Sequence, residues 1–274
     1  MDPFSRHIAN CNNGHDLSGL LPFRIGTAQV GYVAPDLAEA LPPGLQDAAG
    51  VTLPGGDAQL DRLVTELAAQ GRFRLRGEAF DVRETCTGPV LATLDRGAVP
   101  AFGVIGQGVH LNGLVRGKEG LRIWVGIRSR HKPVAPGQLD NLVAGGIPAG
   151  LGPESCLLKE AGEEASLPEA LARQARHVAR LSYVMRLPEG LRRDVLHVYD
   201  LELPEGFTPA PHDDEVERFE LWPAERVLTA VRDTDGVKFN VNLVLIDLFL
   251  REGLIDPGSS LGVALRAGLD QGPR

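Results

Sequence analysis

The chain has 274 residues, 43% of them hydrophobic and 23% charged, which is close to ordinary globular composition and excludes a largely disordered or fibrous protein. Its length favours one larger folded unit and one smaller companion over a single compact domain. The formal net charge of -8 disfavours a nucleic acid polymer as a partner, because the overall field would repel a polyphosphate backbone.

Residues 1–104 are predicted to form a small α+β domain. Two short apolar runs, at residues 23–25 and 30–33, indicate paired strands. Residues 57–70 form the clearest helix, because four apolar side chains recur at the i, i+3, i+4, i+7 spacing of one buried face. A second, short helix is predicted over residues 89–94. The buried face of the first helix consists of Leu60, Leu63, Val64 and Leu67.

Residues 105–274 have a more regular pattern of strands and helices, which predicts a mixed-sheet sandwich. Two alternating runs indicate a hairpin with a five-residue loop. We interpret Gly103, Gly106 and Gly108, which precede it, as a flexible lead-in. The predicted strands cover residues 109–115, 121–127, 139–143, 181–187, 194–203 and 216–222, and two closing helices cover residues 223–231 and 239–251.

Between these strands a helix is predicted over residues 153–165, because Gly152 can serve as its N-cap and Pro153 suits the first helical position. The residues that follow have the S-x-x-E form of a capping box. This form predicts a second helix over residues 166–176.

Three glutamates of the first of these helices form a carboxylate face. Glu160, Glu163 and Glu164 lie at i, i+3 and i+4, so all three project from one side. Hard divalent cations take oxygen ligands, so this face suits Mg²⁺ or Mn²⁺, which would also offset the charge of a small diphosphate. The spacing is equally compatible with an ordinary solvated helix face. The residues expected to pack on the sheet are Leu158, Ala161 and Ala165.

Residues 159–167, with the sequence KEAGEEASL, resemble the R-E-U-x-E-E-x-G-U part of the Nudix box, where U is a bulky apolar residue. Gly145 falls at the first glycine of that box. The resemblance implies a Nudix α/β/α sandwich with a mixed sheet, residues 105–274, preceded by the small α+β domain. The chain departs from the box at Leu151 (first glutamate), Lys159 (arginine), Ala161 (bulky residue) and Ser166 (second glycine).

Residues 23–26, 136–146 and 244–250 are similar to the Nudix proteins related to thiamine pyrophosphokinase, which carry an extra N-terminal domain of about this size. This resemblance implies a metal-dependent hydrolase of thiamine diphosphate or its oxidised analogues. Two alternatives stay open: hydrolysis of another nucleoside diphosphate derivative, and a catalytically inactive binding module, which the altered box favours. The N-terminal domain has no acidic cluster at helical spacing, so we expect it to shape the substrate pocket without supplying metal ligands.

The resemblance also implies roles for individual residues. Glu163 and Glu164 would be catalytic and, together with Glu160, would be the metal ligands. The general base would come from an acidic loop before the last strand, where Glu215 and Glu217 are candidates. The alternative is that both are solvated loop acids.

A basic cluster follows the second strand of the predicted hairpin. Arg128, Arg130 and Lys132 are candidate ligands of the substrate diphosphate, with a solvated basic loop as the alternative. His177 and His197 lie in amphipathic elements without an identifiable partner. We expect structural or surface roles for both histidines.

The three cysteines, Cys11, Cys86 and Cys156, are widely separated and lack a C-x-x-C motif, so neither a disulfide framework nor a structural zinc is expected. The N-terminus has no apolar core of signal-peptide length, and no stretch approaches the roughly 20 apolar residues of a membrane span. We therefore expect a cytoplasmic location, no membrane partner and no nucleic acid partner, with a small-molecule diphosphate as the substrate.

Overall fold

The computed structural model describes residues 2–132, 134–212 and 214–273. Its N-terminal part consists of short helices and strands. In chain order they are α1 (Ser5–Cys11), β1 (Leu21–Ile25), β2 (Ala28–Val33), α2 (Pro35–Glu39), β3 (Gln46–Asp47), β4 (Gly50–Leu53), α3 (Asp57–Ala69), β5 (Ala79–Val82), β6 (Ala92–Asp95) and α4 (Val99–Phe102), with 3₁₀ turns at Pro43–Leu45 and Arg96–Ala98.

Strands β1 to β4 form one sheet in the order β2-β1-β4-β3. Strands β1 and β2 pair as predicted, in antiparallel orientation, and β1 pairs with β4 in parallel. All four predicted apolar residues of α3 are buried in the same core as Phe23 and Val30. The structure thus agrees with the small α+β fold predicted for this part of the chain.

The helix predicted over residues 89–94 is wrong. This segment leads into β6, which pairs antiparallel with β5. Ala92 and Leu94 are buried while Thr93 between them is half-buried, so the buried residues repeat with period two rather than at helical spacing. The β5–β6 hairpin contacts the C-terminal part, because the Ala149 N–H donates to the Ala79 carbonyl at 2.7 Å.

The C-terminal part contains longer strands and the carboxylate helix. In chain order its elements are β7 (Ile105–Gly117), β8 (Gly120–Arg128), β9 (Leu139–Asp140), β10 (Val143–Gly146), α5 (Pro153–Ala165), α6 (Glu169–Ala172), β11 (Arg176–Leu187), β12 (Gly190–Glu202), β13 (Val216–Pro223), α7 (Ala224–Asp233), α8 (Val241–Arg251) and α9 (Ser260–Gly268).

These strands form one mixed sheet with the order β11-β12-β7-β8-β13, in which β10 also pairs with β7 and β9 with β8. The β12–β7 pairing is parallel and the others are antiparallel. Neighbouring residues of β7 and β8 pack on opposite faces: Leu114 and Ile123 join the core of α7 and α8, while Val115 and Trp124 join the core of α5. The predicted α/β/α sandwich is confirmed.

Two predictions about the first hairpin of this sheet are wrong. Gly106 and Gly108 do not form a flexible lead-in but lie inside β7, where a Cβ on Gly108 would lie 3.0 Å from the Gly145 carbonyl oxygen of β10. The hairpin loop has two residues rather than five, because the ladder continues to the Gly117–Gly120 pair. Gly120 accommodates the tight turn with a φ of 98°.

The second predicted helix is shorter than expected and begins elsewhere. Ser166 does not open it; this residue ends α5 in the left-handed conformation, with a φ of 52°. The N–H of Leu167 then donates to the Ala161 carbonyl, which satisfies one end of α5. A serine in place of glycine here costs about 1 kcal/mol. The short helix α6 starts only after Pro168.

Helices α1 and α9 have no counterpart in the sequence predictions. The α1 residues Ile8 and Cys11 are buried with α8 and α9 in the C-terminal core. The division into residues 1–104 and 105–274 therefore remains a proposal, and the packing favours moving α1 to the second unit. Within the part of the chain described above, no helix is long and apolar enough to cross a membrane.

Candidate active site

Helix α5 has the predicted bounds and presents its three glutamates in three different environments. It packs on the sheet through Cys156, Leu157, Ala161 and Ala165, whereas the predicted packing residue Leu158 is only half-buried. The Glu163 side chain is 55% exposed, that of Glu160 is 14% exposed, and Glu164 is buried. The three glutamates predicted to share one helix face therefore differ in exposure, from solvent-exposed Glu163 to buried Glu164.

Glu160 lies directly on the glycine pair of β10. A Cβ atom at Gly145 would lie 2.6 Å from both Cγ and Cδ of Glu160, so any other residue there would displace this side chain. At Gly146, a Cβ atom would lie 2.4 Å from the Phe80 ring of the N-terminal part. The two glycines thus let the carboxylate helix and the β5–β6 hairpin approach the same strand.

Lys159 joins the two outer carboxylates. Its Nζ lies 3.1 Å from Glu160 Oε1 and 2.7 Å from Glu163 Oε2. Burial raises the pKa of Glu160, and the Lys159 ammonium acts against that rise. Two carboxylates therefore converge on one positive charge at the surface of α5.

Glu164 faces the sheet instead. Its Oε2 accepts a hydrogen bond of 2.9 Å from the Ala144 N–H in β10. Burial raises the pKa of Glu164 well above its usual range, and the nearby charges of Asp140, Glu160 and Glu215 raise it further. The hydrogen bond ties α5 to β10, immediately before the glycine pair.

The carboxylate oxygens of Glu160, Glu163 and Glu164 are suitable ligands for a divalent cation, and two of the three side chains lie close together. Among residues 2–132, 134–212 and 214–273, no three His, Cys, Asp or Glu side chains are already grouped as a metal site. Glu160 and Glu163 nevertheless both pair with the Lys159 ammonium, so their carboxylates share one neighbouring positive charge. Carboxylate oxygens are the ligands that Mg²⁺ and Mn²⁺ prefer.

The predicted base and substrate-binding residues are brought together by the pairing of β13 with β8. Lys132 Nζ lies 2.6 Å from Glu215 Oε1, and the Arg130 N–H donates to Glu217 Oε1 at 3.2 Å. Glu215 is close enough to raise the pKa of the buried Glu164. Asp213, in the same acidic run, lies outside the described residues.

Arg128 has a different environment from Arg130 and Lys132. It is buried, and its Nη1 donates to Asp140 Oδ2 at 2.6 Å. Its other nitrogens donate to the carbonyls of Val134 and Ala135. The guanidinium thus holds the loop after β8, and its contacts do not favour a direct role in substrate binding.

Behind the site, a series of buried polar side chains is joined by hydrogen bonds. We call this series the buried polar chain; the sequence patterns did not indicate it. His110 Nδ1 lies 2.8 Å from Asn141 Oδ1, Asn141 Nδ2 donates to Asn112 Oδ1, and Asn112 Nδ2 donates to Asp200 Oδ1, both at 2.8 Å. Arg251 of α8 completes the chain by pairing with Asp200. The one available signal was that these polar residues interrupt strands whose neighbours are apolar.

We expect His110 to make the protein acid-sensitive. Burial lowers the pKa of His110 from 6.5 to about 4. Between these two pH values the imidazole is protonated in the unfolded protein but neutral in the folded protein. The free energy of unfolding is therefore unaffected by this residue above pH 6.5. It falls by about 3 kcal/mol as the pH is lowered to 4. Urea unfolding of wild type and His110→Gln between pH 7.5 and 4.5 measures the difference. His15→Gln, at an exposed site, is the control; equal pH slopes for all three proteins would contradict the prediction.

A family model and two known plant proteins are similar to this chain. A family model described as NUDIX domain matches residues 109–241. "Nudix hydrolase 20, chloroplastic" of Arabidopsis thaliana is 43% identical over 186 residues, which cover 68% of this chain and 50% of that protein. "Nudix hydrolase 24, chloroplastic" of the same organism is 34% identical over 272 residues, covering 93% of this chain and 74% of that protein. The chain thus spans half of the first relative and about three quarters of the second.

Among solved structures, the crystal structure of DR0079 from Deinococcus radiodurans is similar to 69% of this chain and 98% of that protein, with 21% sequence identity and a TM-score of 0.46.

Proposed function

The chain belongs to the Nudix hydrolase family, and we propose that it hydrolyses a diphosphate linkage in a small molecule with Mg²⁺ or Mn²⁺ as its cofactor. The observation that carries the proposal is the convergence of Glu160 and Glu163 on one positive charge, with the Glu160 side chain packed directly on Gly145. An ordinary solvated helix face would not require a glycine under one of its glutamates. Glu164 completes the set from the buried side.

In this proposal Glu160, Glu163 and Glu164 would hold the metal ion. When bound, the ion would offset the negative charge on the phosphoryl oxygens. Arg130 and Lys132 bind the diphosphate at the rim. A water oxygen attacks phosphorus, a new P–O bond forms, and the bridging P–O bond breaks with its electron pair leaving on the departing group. The proton of the water passes to a loop carboxylate.

Of the two candidate bases, Glu215 is better supported than Glu217. Its charge raises the pKa of Glu164, and Lys132 at 2.6 Å keeps it close to the proposed diphosphate site. Glu217 holds the Arg130 backbone instead. We therefore assign proton acceptance to Glu215 and loop positioning to Glu217.

For the substrate we propose thiamine diphosphate or an oxidised analogue, with another nucleoside diphosphate derivative as the alternative. The second candidate function is a binding module without turnover. It is favoured by Lys159, whose ammonium already pairs with both outer carboxylates and offsets one of their two charges, and by Leu151, which provides no carboxylate at its box position.

A substrate screen tests the proposed function. The protein is incubated with Mg²⁺ or Mn²⁺ and thiamine diphosphate, its oxidised analogues, nucleotide sugars and dinucleotides, and the products are separated by chromatography. We expect metal-dependent cleavage of at least one diphosphate, with thiamine compounds preferred. Binding without cleavage of any compound would favour the second candidate.

A further inference from the structure

A cavity of about 220 Å³ lies between the β5–β6 hairpin and the start of α5. Phe80 and Thr87 line it from the N-terminal part, and Ile147, Leu151 and Pro153 line it from the C-terminal part. Neither part closes this cavity alone. It is therefore a place where the N-terminal part can affect what binds beside the carboxylate helix.

The cavity lies within reach of the proposed diphosphate site. Pro153 begins α5 and Glu160 follows seven residues later, which corresponds to about 10 Å along the helix. Strand β10 also links the two places, because Glu160 packs on Gly145 and Phe80 packs on Gly146. One substrate can therefore place its phosphates over the glutamates and its organic group in the cavity.

The polar groups of the cavity are neutral or mutually neutralised. Gln107 donates through Nε2 to the Cys86 carbonyl, so its Oε1 accepts from Nε2 of His197 at 3.0 Å. This hydrogen bond makes Nδ1 of His197 the acceptor, and burial lowers the pKa of His197 to about 4. The Asp81 carboxylate and the Arg83 guanidinium pair at 2.8 Å. Such groups recognise ring nitrogens and amino groups rather than phosphate.

The volume limits the size of the occupant. Pockets for drug-sized ligands measure about 300–1,000 Å³, so a cavity of about 220 Å³ that is not fully enclosed suits one ring of a ligand whose remainder lies outside it. Phe80 and Ile147 provide apolar walls for a flat group. We propose that this cavity binds one ring at the organic end of the substrate and selects a single-ring nitrogen heterocycle over a fused purine, an inference that rests on the proposed function for the phosphate end.

The test fills the cavity from an exposed position. Thr87→Trp would occupy the space without disturbing a core, and Glu84→Trp, on the same loop but outside the lining, is the matched control. For the best substrate of the screen we expect Thr87→Trp to raise KM about tenfold or more with kcat little changed, because it removes binding shared by ground and transition states. Glu84→Trp should match wild type. Unchanged KM in Thr87→Trp would overturn the proposal and leave the hydrolase assignment intact.

Direct binding separates the cavity from the catalytic chemistry. Saturation-transfer NMR with 4-aminopyrimidine, cytosine and adenosine at about 1 mM is recorded for wild type, Thr87→Trp and Glu163→Gln. We expect single-ring probes to bind wild type and Glu163→Gln but not Thr87→Trp. This pattern would support the cavity even if no diphosphate were hydrolysed. Binding of adenosine alone, no binding of any single-ring probe, or equal binding to Thr87→Trp would overturn it.

Discussion

Replacing Glu163 or Glu164 by glutamine is expected to reduce metal-dependent turnover by about a hundredfold or more, equivalent to roughly 3 kcal/mol of transition-state stabilisation. Glutamine keeps the size of the side chain but removes the charge that holds a divalent cation. The measurement is the rate of product formation with the best substrate at saturating Mg²⁺. His177→Ala, at an exposed position outside the carboxylate helix, should retain the wild-type rate.

Both glutamine variants should remain folded. The 55% exposed Glu163 forms a surface pair with Lys159, so its loss changes the free energy of unfolding by only about 0.5 kcal/mol. At position 164 the glutamine carbonyl oxygen can still accept the hydrogen bond from Ala144. Melting temperatures should therefore stay close to wild type. Full metal-dependent activity in the glutamine variants together with an inactive His177→Ala would refute the assigned roles.

Replacing Arg251 by leucine is expected to lower the free energy of unfolding by about 3–5 kcal/mol. Arg251 pairs with Asp200 and, through Nε at 2.7 Å, with Asp247, and these carboxylates are 2% and 0% exposed. Leucine would leave Asp200 buried without its cation, and Asp247 with Arg266 alone. Because Asp200 holds Asn112, the loss would also loosen the polar chain behind the active site.

Urea unfolding at neutral pH measures this effect. Arg232→Leu is the matched control, because Arg232 pairs with Asp233 at the surface, where such pairs contribute about 0–1 kcal/mol. The Arg251 variant should unfold at a clearly lower urea concentration than the control. Coincident midpoints for the two variants would show that the buried carboxylates do not depend on Arg251.

Local signals predicted the carboxylate helix well. Gly152 and Pro153 specify where α5 begins, and its predicted bounds were correct. The apolar spacing identified Ala161 and Ala165 as packing residues but missed Cys156 and Leu157. Alternation likewise located most strands. The different environments of Glu160, Glu163 and Glu164 could not be predicted, because helical spacing states the direction of a side chain and not which strand lies opposite.

Other features depend on contacts between distant segments. Arg128 is of a residue type that often binds phosphate. It is buried here because the chain folds back after β8 and brings Asp140 against its guanidinium. The pairing of Lys132 with Glu215 arises from the β8–β13 register. Helix α1 has only seven residues, too few for a clear periodicity in the sequence. Packing against α8 and α9 stabilises it. The cavity beside Leu151 likewise exists only where the two parts meet.

The metal dependence of turnover in the wild-type protein tests the proposed hydrolase site. Hydrolysis of the best diphosphate is measured after removal of divalent ions with a chelator, and again as Mg²⁺ or Mn²⁺ is added back. We predict that cleavage stops without divalent ions and returns with added metal, to a level that Glu163→Gln does not reach. Equal cleavage with and without divalent ions, or no cleavage of any diphosphate at saturating metal, would contradict the proposal that this carboxylate helix forms a metal-dependent hydrolase site.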